Sequence, residues 1–144
     1  MKYTKHFSSV VLGTALWASC SPQGNDFLVI GHRGAMGHVL ENTLASIDTA
    51  LSLGVDMIEI DVYRIASGQL VVFHDDTLGR LSVYRDSIEH LTIEALDTIR
   101  LHDGHAIPTL AQVIDRIQGR VPLNIELKGA GTSAPTYALI QELT

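Results

Sequence analysis

The stretch Met57-Ile58-Glu59-Ile60-Asp61-Val62 alternates apolar and acidic side chains. An extended chain turns successive side chains to opposite faces. Ile58, Ile60 and Val62 therefore share one face, and Met57, Glu59 and Asp61 share the other. If helices cover the apolar face, two carboxylates point into whatever the other face lines. Unpaired carboxylates on an interior face repel each other and lose hydration. A cation between them removes both costs. An edge strand with a wet acidic face is the competing reading of the same alternation.

A second stretch decides between them. In Leu123-Asn124-Ile125-Glu126-Leu127-Lys128 the apolar residues again share one face, and Asn124, Glu126 and Lys128 the other. A fully buried parallel strand normally reads as continuous hydrophobics. Ionisable interior positions on two strands need a reason, and a hard divalent cation, Mg²⁺ or Ca²⁺, supplies one through carboxylate oxygens. Neither stretch has the Cys and His clustering of structural zinc.

The segments between these strands read as an α/β chain. Phe27-Leu28-Val29-Ile30 is an apolar run expected to form a buried strand. It ends in Gly31-His32-Arg33-Gly34, whose glycines let the backbone turn sharply and come close to a ligand. Residues 43–53 keep helical spacing, with Asn42 as the expected N-cap and Gly54 as the C-cap. After the acidic strand, Ser67-Gly68 fits a turn and 70–73 a further strand ending in His74-Asp75-Asp76. A helix is expected over 91–99 and another over 109–118, closed by Gly119; 129–135 reads as a loop and 137–143 as the start of a helix. Polar chemistry falls at the C-terminal ends of strands, where parallel α/β folds carry their sites. A cation beside His32, His74 and Arg33 suits phosphoester chemistry: positive charge neutralises phosphate oxygens while imidazoles move protons. Asp75 and Asp76 are placed to orient His74 or cap a turn. Lys128 can alternatively serve only as an ion-pair partner of Glu126 or Glu59.

The chain has 144 residues, enough for about one domain. Its formal charge of -6 argues against nucleic acid as a partner. The single cysteine, Cys20, excludes an intrachain disulfide. Lys2 and Lys5 form a basic n-region, 7–17 is mainly apolar but too short to span a bilayer, and Ala18-Ser19 precede Cys20. This resembles a bacterial lipoprotein signal, with 1–19 removed, Cys20 lipidated as the membrane anchor and 20–26 as a tether. Trp17 stands where that pattern usually has an aliphatic residue, and an ordinary secretory signal is the other reading. Either way the protein is expected to be exported.

Six short motifs run in order from about residue 27 onward. They are His32-Arg33-Gly34, Glu41-Asn42-Thr43, Glu59-Ile60-Asp61-Val62, His74-Asp75 with Thr77-Leu78 and Arg80, Ile107-Pro108-Thr109-Leu110, and Asn124-Ile125-Glu126-Leu127-Lys128. Each is weak alone; together the chain resembles the glycerophosphodiester phosphodiesterase family. The resemblance implies a TIM-type (β/α)₈ barrel and hydrolysis of a glycerophosphodiester to glycerol 3-phosphate and an alcohol. It implies that Glu59, Asp61 and Glu126 hold the metal, that His32 and His74 are general acid and base, and that Arg33 and Lys128 contact phosphate. Glu41 lies beside the first histidine and is a further candidate for the metal. Leu40 replaces the usual proline before Glu-Asn-Thr, and Leu81 to Asp86 replaces a glycine-bearing loop.

A TIM barrel takes about 250 residues. Residues 27–144 supply about half of one, with signatures for the first four strands. The expectation is the N-terminal part of a barrel domain, as a C-terminally truncated fragment or a short form that closes by dimerising. A related phospholipase-type enzyme and a non-catalytic binding lipoprotein are the alternative functions.

Overall fold

The computed structural model describes residues 27–143. The expected signal, tether and Cys20 lie outside the described residues. β2 (Met57–Arg64) is the centre of a four-stranded sheet. β4 (Leu123–Leu127) pairs with it in parallel along one edge, from Ile58↔Leu123 to Val62↔Leu127. The other edge is shared. β1 (Ile30–Gly31) pairs in parallel with Met57 and Ile58, and β3 (Leu70–Val72) pairs antiparallel from Val62↔Val72 to Arg64↔Leu70.

The four expected strands are therefore not four consecutive barrel strands. Only residues 65–69 separate β2 from β3, and a parallel crossover needs a dozen or more residues. The short turn forces a hairpin. β1, β2 and β4 are the parallel strands, and they are followed in space by α1 (Leu44–Leu53), α3 (Leu110–Ile117) and α4 (Ser133–Leu143). The architecture is part of a TIM-type (β/α)₈ barrel.

The two faces of the sheet have separate cores. Ile58, Ile60, Val62, Leu70 and Val72 pack with Ile47 and Ala50 of α1 and Leu110, Val113 and Ile117 of α3. The opposite face carries Tyr63, Ile65, Val71 and Phe73. It is covered by the segment between β3 and α3, through Leu78, Ile88, Leu96 and Ile99. That segment holds α2 (Ile93–Thr98) and three single 3₁₀ turns at Leu78–Arg80, Ile88–His90 and His102–Gly104. Glu59 and Asp61 thus share a face with Tyr63, and the segment packs only where that face turns from acidic to aromatic.

Helix boundaries follow local chemistry. Thr43, not Asn42, caps α1: Thr43 Oγ1 accepts from the Ser46 amide at 3.1 Å and Ser46 Oγ accepts from the Thr43 amide at 3.2 Å. Gly54 closes α1 at φ 71° as expected. Thr109 and Gln112 form the same reciprocal cap on α3, which ends at Gln118 in the left-handed region, one residue before the expected Gly119. α4 begins earlier than expected because Pro135 sits in its first turn, where the missing amide N–H is not needed.

The expected buried strand at 27–30 is the largest difference. Phe27 is 68% and Leu28 67% exposed, and pairing begins only at Ile30. No described element lies over this run. Among the described residues no helix is long and apolar enough to cross a membrane.

Candidate active site

The register of β2 and β4 builds the site. Asp61 is opposite Glu126, and Glu59 opposite Asn124. Residues directly across a ladder put their side chains on the same face. Carboxylate oxygens of Glu59, Asp61 and Glu126 accordingly lie within 4.8 Å of one another. Glu59 and Asp61 are buried. Glu126 is exposed, since the inner face of β4 is open. Lys128 reaches back over this group, its Nζ 2.6 Å from Glu126 Oε1 and 3.4 Å from Asp61 Oδ1. The Glu126 partner holds the Lys128 ammonium above its usual pKa, and Lys128 holds the Glu126 carboxyl below the usual range. Asp61 Oδ1, though buried, accepts no hydrogen bond; the lysine is at ion-pair distance only. Three carboxylates with one unbonded buried oxygen fit a hard divalent cation.

The loop after β1 wraps the other side of the acidic pair. Gly34 N donates to Glu59 O at 3.1 Å, and Arg33 N donates to Glu59 Oε2 at 2.8 Å. The turn needs two non-glycine residues at positive φ, Arg33 at 50° and Asn42 at 54°. Such strain persists only where surrounding contacts enforce it. Gly34 has φ 81°, and a Cβ there would come within 2.8 Å of the Ser46 carbonyl carbon. The close approach is thus to α1 rather than to a ligand. His32 is placed with its Nε2 3.8 Å from Glu59 Oε2 and its side chain 59% exposed.

Arg33 and Asn42 are directed at the carboxylates. Arg33 Nη1 donates to Glu41 Oε1 at 2.9 Å, and its Nε lies 3.5 Å from Asp61 Oδ2. Asn42 Nδ2 donates to Asp61 Oδ2 at 2.9 Å, and Asn42 Oδ1 accepts from the Asp61 amide at 3.4 Å. Asn42 therefore holds both backbone and side chain of Asp61. Glu41 is buried, but it stands outside the three-carboxylate group. Its oxygens accept from Arg33 and, at 2.7 and 2.9 Å, from Arg80. Hydrogen bonding to Arg80, chiefly, and to Arg33 keeps the Glu41 carboxyl below its usual pKa against the opposing effect of burial.

His74 arrives by a different route from the one its position after a strand suggests. β3 runs back along β2, and Phe73 N donates to Asp61 O at 3.0 Å. The hairpin returns the chain to the level of the acidic pair, and His74 follows just past the end of β3. Its Nδ1 is 2.6 Å from Asp75 Oδ1. Arg80, first, and His74 draw the Asp75 carboxyl down to about 2.

The structure thus brings together Glu59, Asp61, Glu126, Lys128, Arg33 and His32, and it puts His74 in a linked cluster with Asp75, Arg80 and Glu41. Two participants carried no role in the sequence reading. Asn42 was expected only as a helix cap, and Arg80 only as part of a motif. The available signal for Asn42 was its neighbour: Thr43 is also a good cap, which leaves Asn42 spare.

A glycerophosphodiester phosphodiesterase from Caldanaerobacter subterraneus subsp. tengcongensis is 38% identical over 109 residues, covering 70% of this chain and 45% of that protein. The crystal structure of a glycerophosphodiester phosphodiesterase from Agrobacterium tumefaciens superposes with a TM-score of 0.76 at 35% identity, over 81% of this chain and 53% of that one. An Oleispira antarctica phosphodiesterase, solved in complex with the product sn-glycerol-3-phosphate, gives 0.75 at 33% identity, over 80% and 52%. The chain spans about half the length of the relatives it matches. Residues 32–141 match the model of one family, so that the six motifs, the partial barrel and the acidic group have a common origin: the chain belongs to the glycerophosphoryl diester phosphodiesterase family.

Proposed function

We propose that this chain contributes to metal-dependent hydrolysis of glycerophosphodiesters, giving glycerol 3-phosphate and an alcohol. The observation that carries the reading is the carboxylate trio on two adjacent parallel strands, with Asp61 Oδ1 buried and unbonded. Glu59, Asp61 and Glu126 would hold one divalent cation, Mg²⁺ or Ca²⁺. Bound there, the ion supplies positive charge to a phosphoryl oxygen as a Lewis acid.

This chain's own residues do the rest. Arg33 and Lys128 flank the trio and offer donors to phosphate oxygens, Arg33 through a planar fork and Lys128 as a point charge. The bond from Nδ1 to Asp75 leaves His74 Nε2 free to exchange a proton. His32, the more exposed imidazole, is the second proton-transfer group. In the net hydrolysis one imidazole accepts a proton from the attacking water, whose oxygen forms the new bond to phosphorus. The other donates a proton to the departing alcohol oxygen as its bond to phosphorus breaks.

The test is release of glycerol 3-phosphate from glycerophosphocholine with and without EDTA. Activity that EDTA abolishes, and that His32→Ala or His74→Ala removes while cation binding persists, is the expected result. Full turnover in both histidine variants overturns the assignment.

The site would work outside the cytoplasm if the leader is processed and Cys20 carries the lipid anchor. Radiolabelled palmitate incorporation that Cys20→Ser abolishes is the expected outcome; secretion without label assigns an ordinary signal instead.

A further inference from the structure

Arg80 joins two carboxylates that belong to different parts of the site. Its Nε donates to Asp75 Oδ2 at 2.6 Å and its Nη2 to Asp75 Oδ1 at 3.1 Å. The same guanidinium donates from Nη1 to Glu41 Oε2 at 2.9 Å and from Nη2 to Glu41 Oε1 at 2.7 Å. Both carboxylates are thus gripped through both oxygens, which the planar fork of arginine permits and an ammonium does not. From Asp75 the chain of contacts continues to His74 Nδ1 at 2.6 Å. From Glu41 it continues through Arg33 to Asp61 and, by the Arg33 amide, to Glu59.

We propose that Arg80 is a positioning residue, fixing the ring orientation and tautomer of His74 through Asp75 while holding Glu41 against Arg33. The proposal rests on the phosphodiesterase reading for its meaning in turnover, but its geometry stands apart from it. Asp75 has one acceptor contact with His74, and Arg80 supplies its other hydrogen bonds among the described residues. Without Arg80, a carboxylate that is partly open to solvent is free to swing away from the ring. Glu41 would keep only Arg33, and a buried carboxylate that has lost two of its three hydrogen bonds draws that arginine away from Asp61.

The site of Arg80 is itself braced. It ends the 3₁₀ turn Leu78–Arg80, whose Leu78 is fully buried. The turn is pinned by Leu78 N donating to Asp86 O at 3.0 Å and by Leu81 N donating to Leu78 O at 3.1 Å. The backbone anchor does not depend on the guanidinium. Arg80→Gln is therefore expected to keep the turn while removing the double grip. Arg80, first, and then His74 favour the ionised form of Asp75 against the opposing effect of burial.

The experiment is ¹⁵N NMR of the histidine rings in the full chain, with His74 assigned by its loss in His74→Gln. Wild type is expected to carry the neutral ring proton on Nδ1, bonded to Asp75. Arg80→Gln is expected to show a mixture with substantial Nε2–H form, and Arg80→Lys, which keeps charge but loses the fork, an intermediate one. A wild-type His74 protonated on Nε2, or the same Nδ1–H form in all three proteins, overturns the proposal. A purely structural role for Arg80 would lower the melting temperature without moving the tautomer. In the parallel turnover assay kcat is expected to fall on the order of ten-fold in Arg80→Gln. If no protein turns over substrate while the tautomer still follows Arg80, the functional reading fails and the positioning role stands.

Discussion

Asn42 shows how one residue links backbone strain to chemistry. Its positive φ turns the side chain from a helix cap into a clamp on Asp61. Outer partners that orient a ligating carboxylate are typically worth about 10–100-fold in metal affinity. Asn42→Ala is therefore expected to weaken Mg²⁺ or Ca²⁺ binding by that factor in titration calorimetry. It should also cost about 1–3 kcal/mol of stability, since Asp61 loses a buried donor. Asp75 carries a pH signature. Its carboxyl titrates at about 2 in the folded protein against an ordinary 3.8. A depressed carboxyl stabilises the fold fully above the ordinary value and loses that contribution as pH falls through the folded one. The stability difference between wild type and Arg80→Gln in urea should be largest near neutral pH and shrink toward pH 2. A difference that is constant across this range would show that the ion pair does not carry it.

At the scale of elements, the hairpin is what completes the site. β2 supplies Glu59 and Asp61, and the return of β3 brings Phe73 against Asp61, from where His74 connects through Asp75, Arg80 and Glu41. Ile60 lies between the two carboxylates in sequence but faces α1 and α3, fully buried. Ile60→Ala is expected to destabilise by about 2–5 kcal/mol, because a cavity opens where two helices meet the sheet. The capping box on α3 is a smaller contribution: Thr109→Ala should cost about 1 kcal/mol in the same urea unfolding measurement. The strand and helix types, and most boundaries to within a few residues, were legible in the sequence because periodicity and caps are local. The direction of β3 was legible too, in the shortness of 65–69, but a strand-end histidine suggested a parallel strand more strongly.

For the molecule as a whole, the described residues leave apolar surface at both sides of the sheet. Phe27 and Leu28 lie uncovered before β1, while Leu127, Tyr137 and Leu143 are exposed around β4 and α4. Exposed apolar runs beside unpaired strand edges favour association. Sedimentation velocity of this chain is expected to show concentration-dependent self-association. A monodisperse monomer across the concentration range would show that this surface is less adhesive than its composition implies. The same openness explains Glu126: it belongs to the acidic group by register but is exposed, because nothing described faces β4 from inside.

The sequence by itself determined which residues carry charge on otherwise apolar strands. Alternation needs only the two-residue period of an extended chain, so Glu59, Asp61, Glu126 and Lys128 could be set apart without a fold. It also determined the family, through six ordered motifs. Tertiary structure alone decided the partners that lie far apart in sequence. That Glu126 stands opposite Asp61, that Asn42 holds Asp61, and that Arg80 spans from Asp75 to Glu41, 39 residues away along the chain, are matters of register and chain return. Local propensity does not encode such distances. They follow from which apolar faces bury together, and the polar side chains are carried into place by that packing.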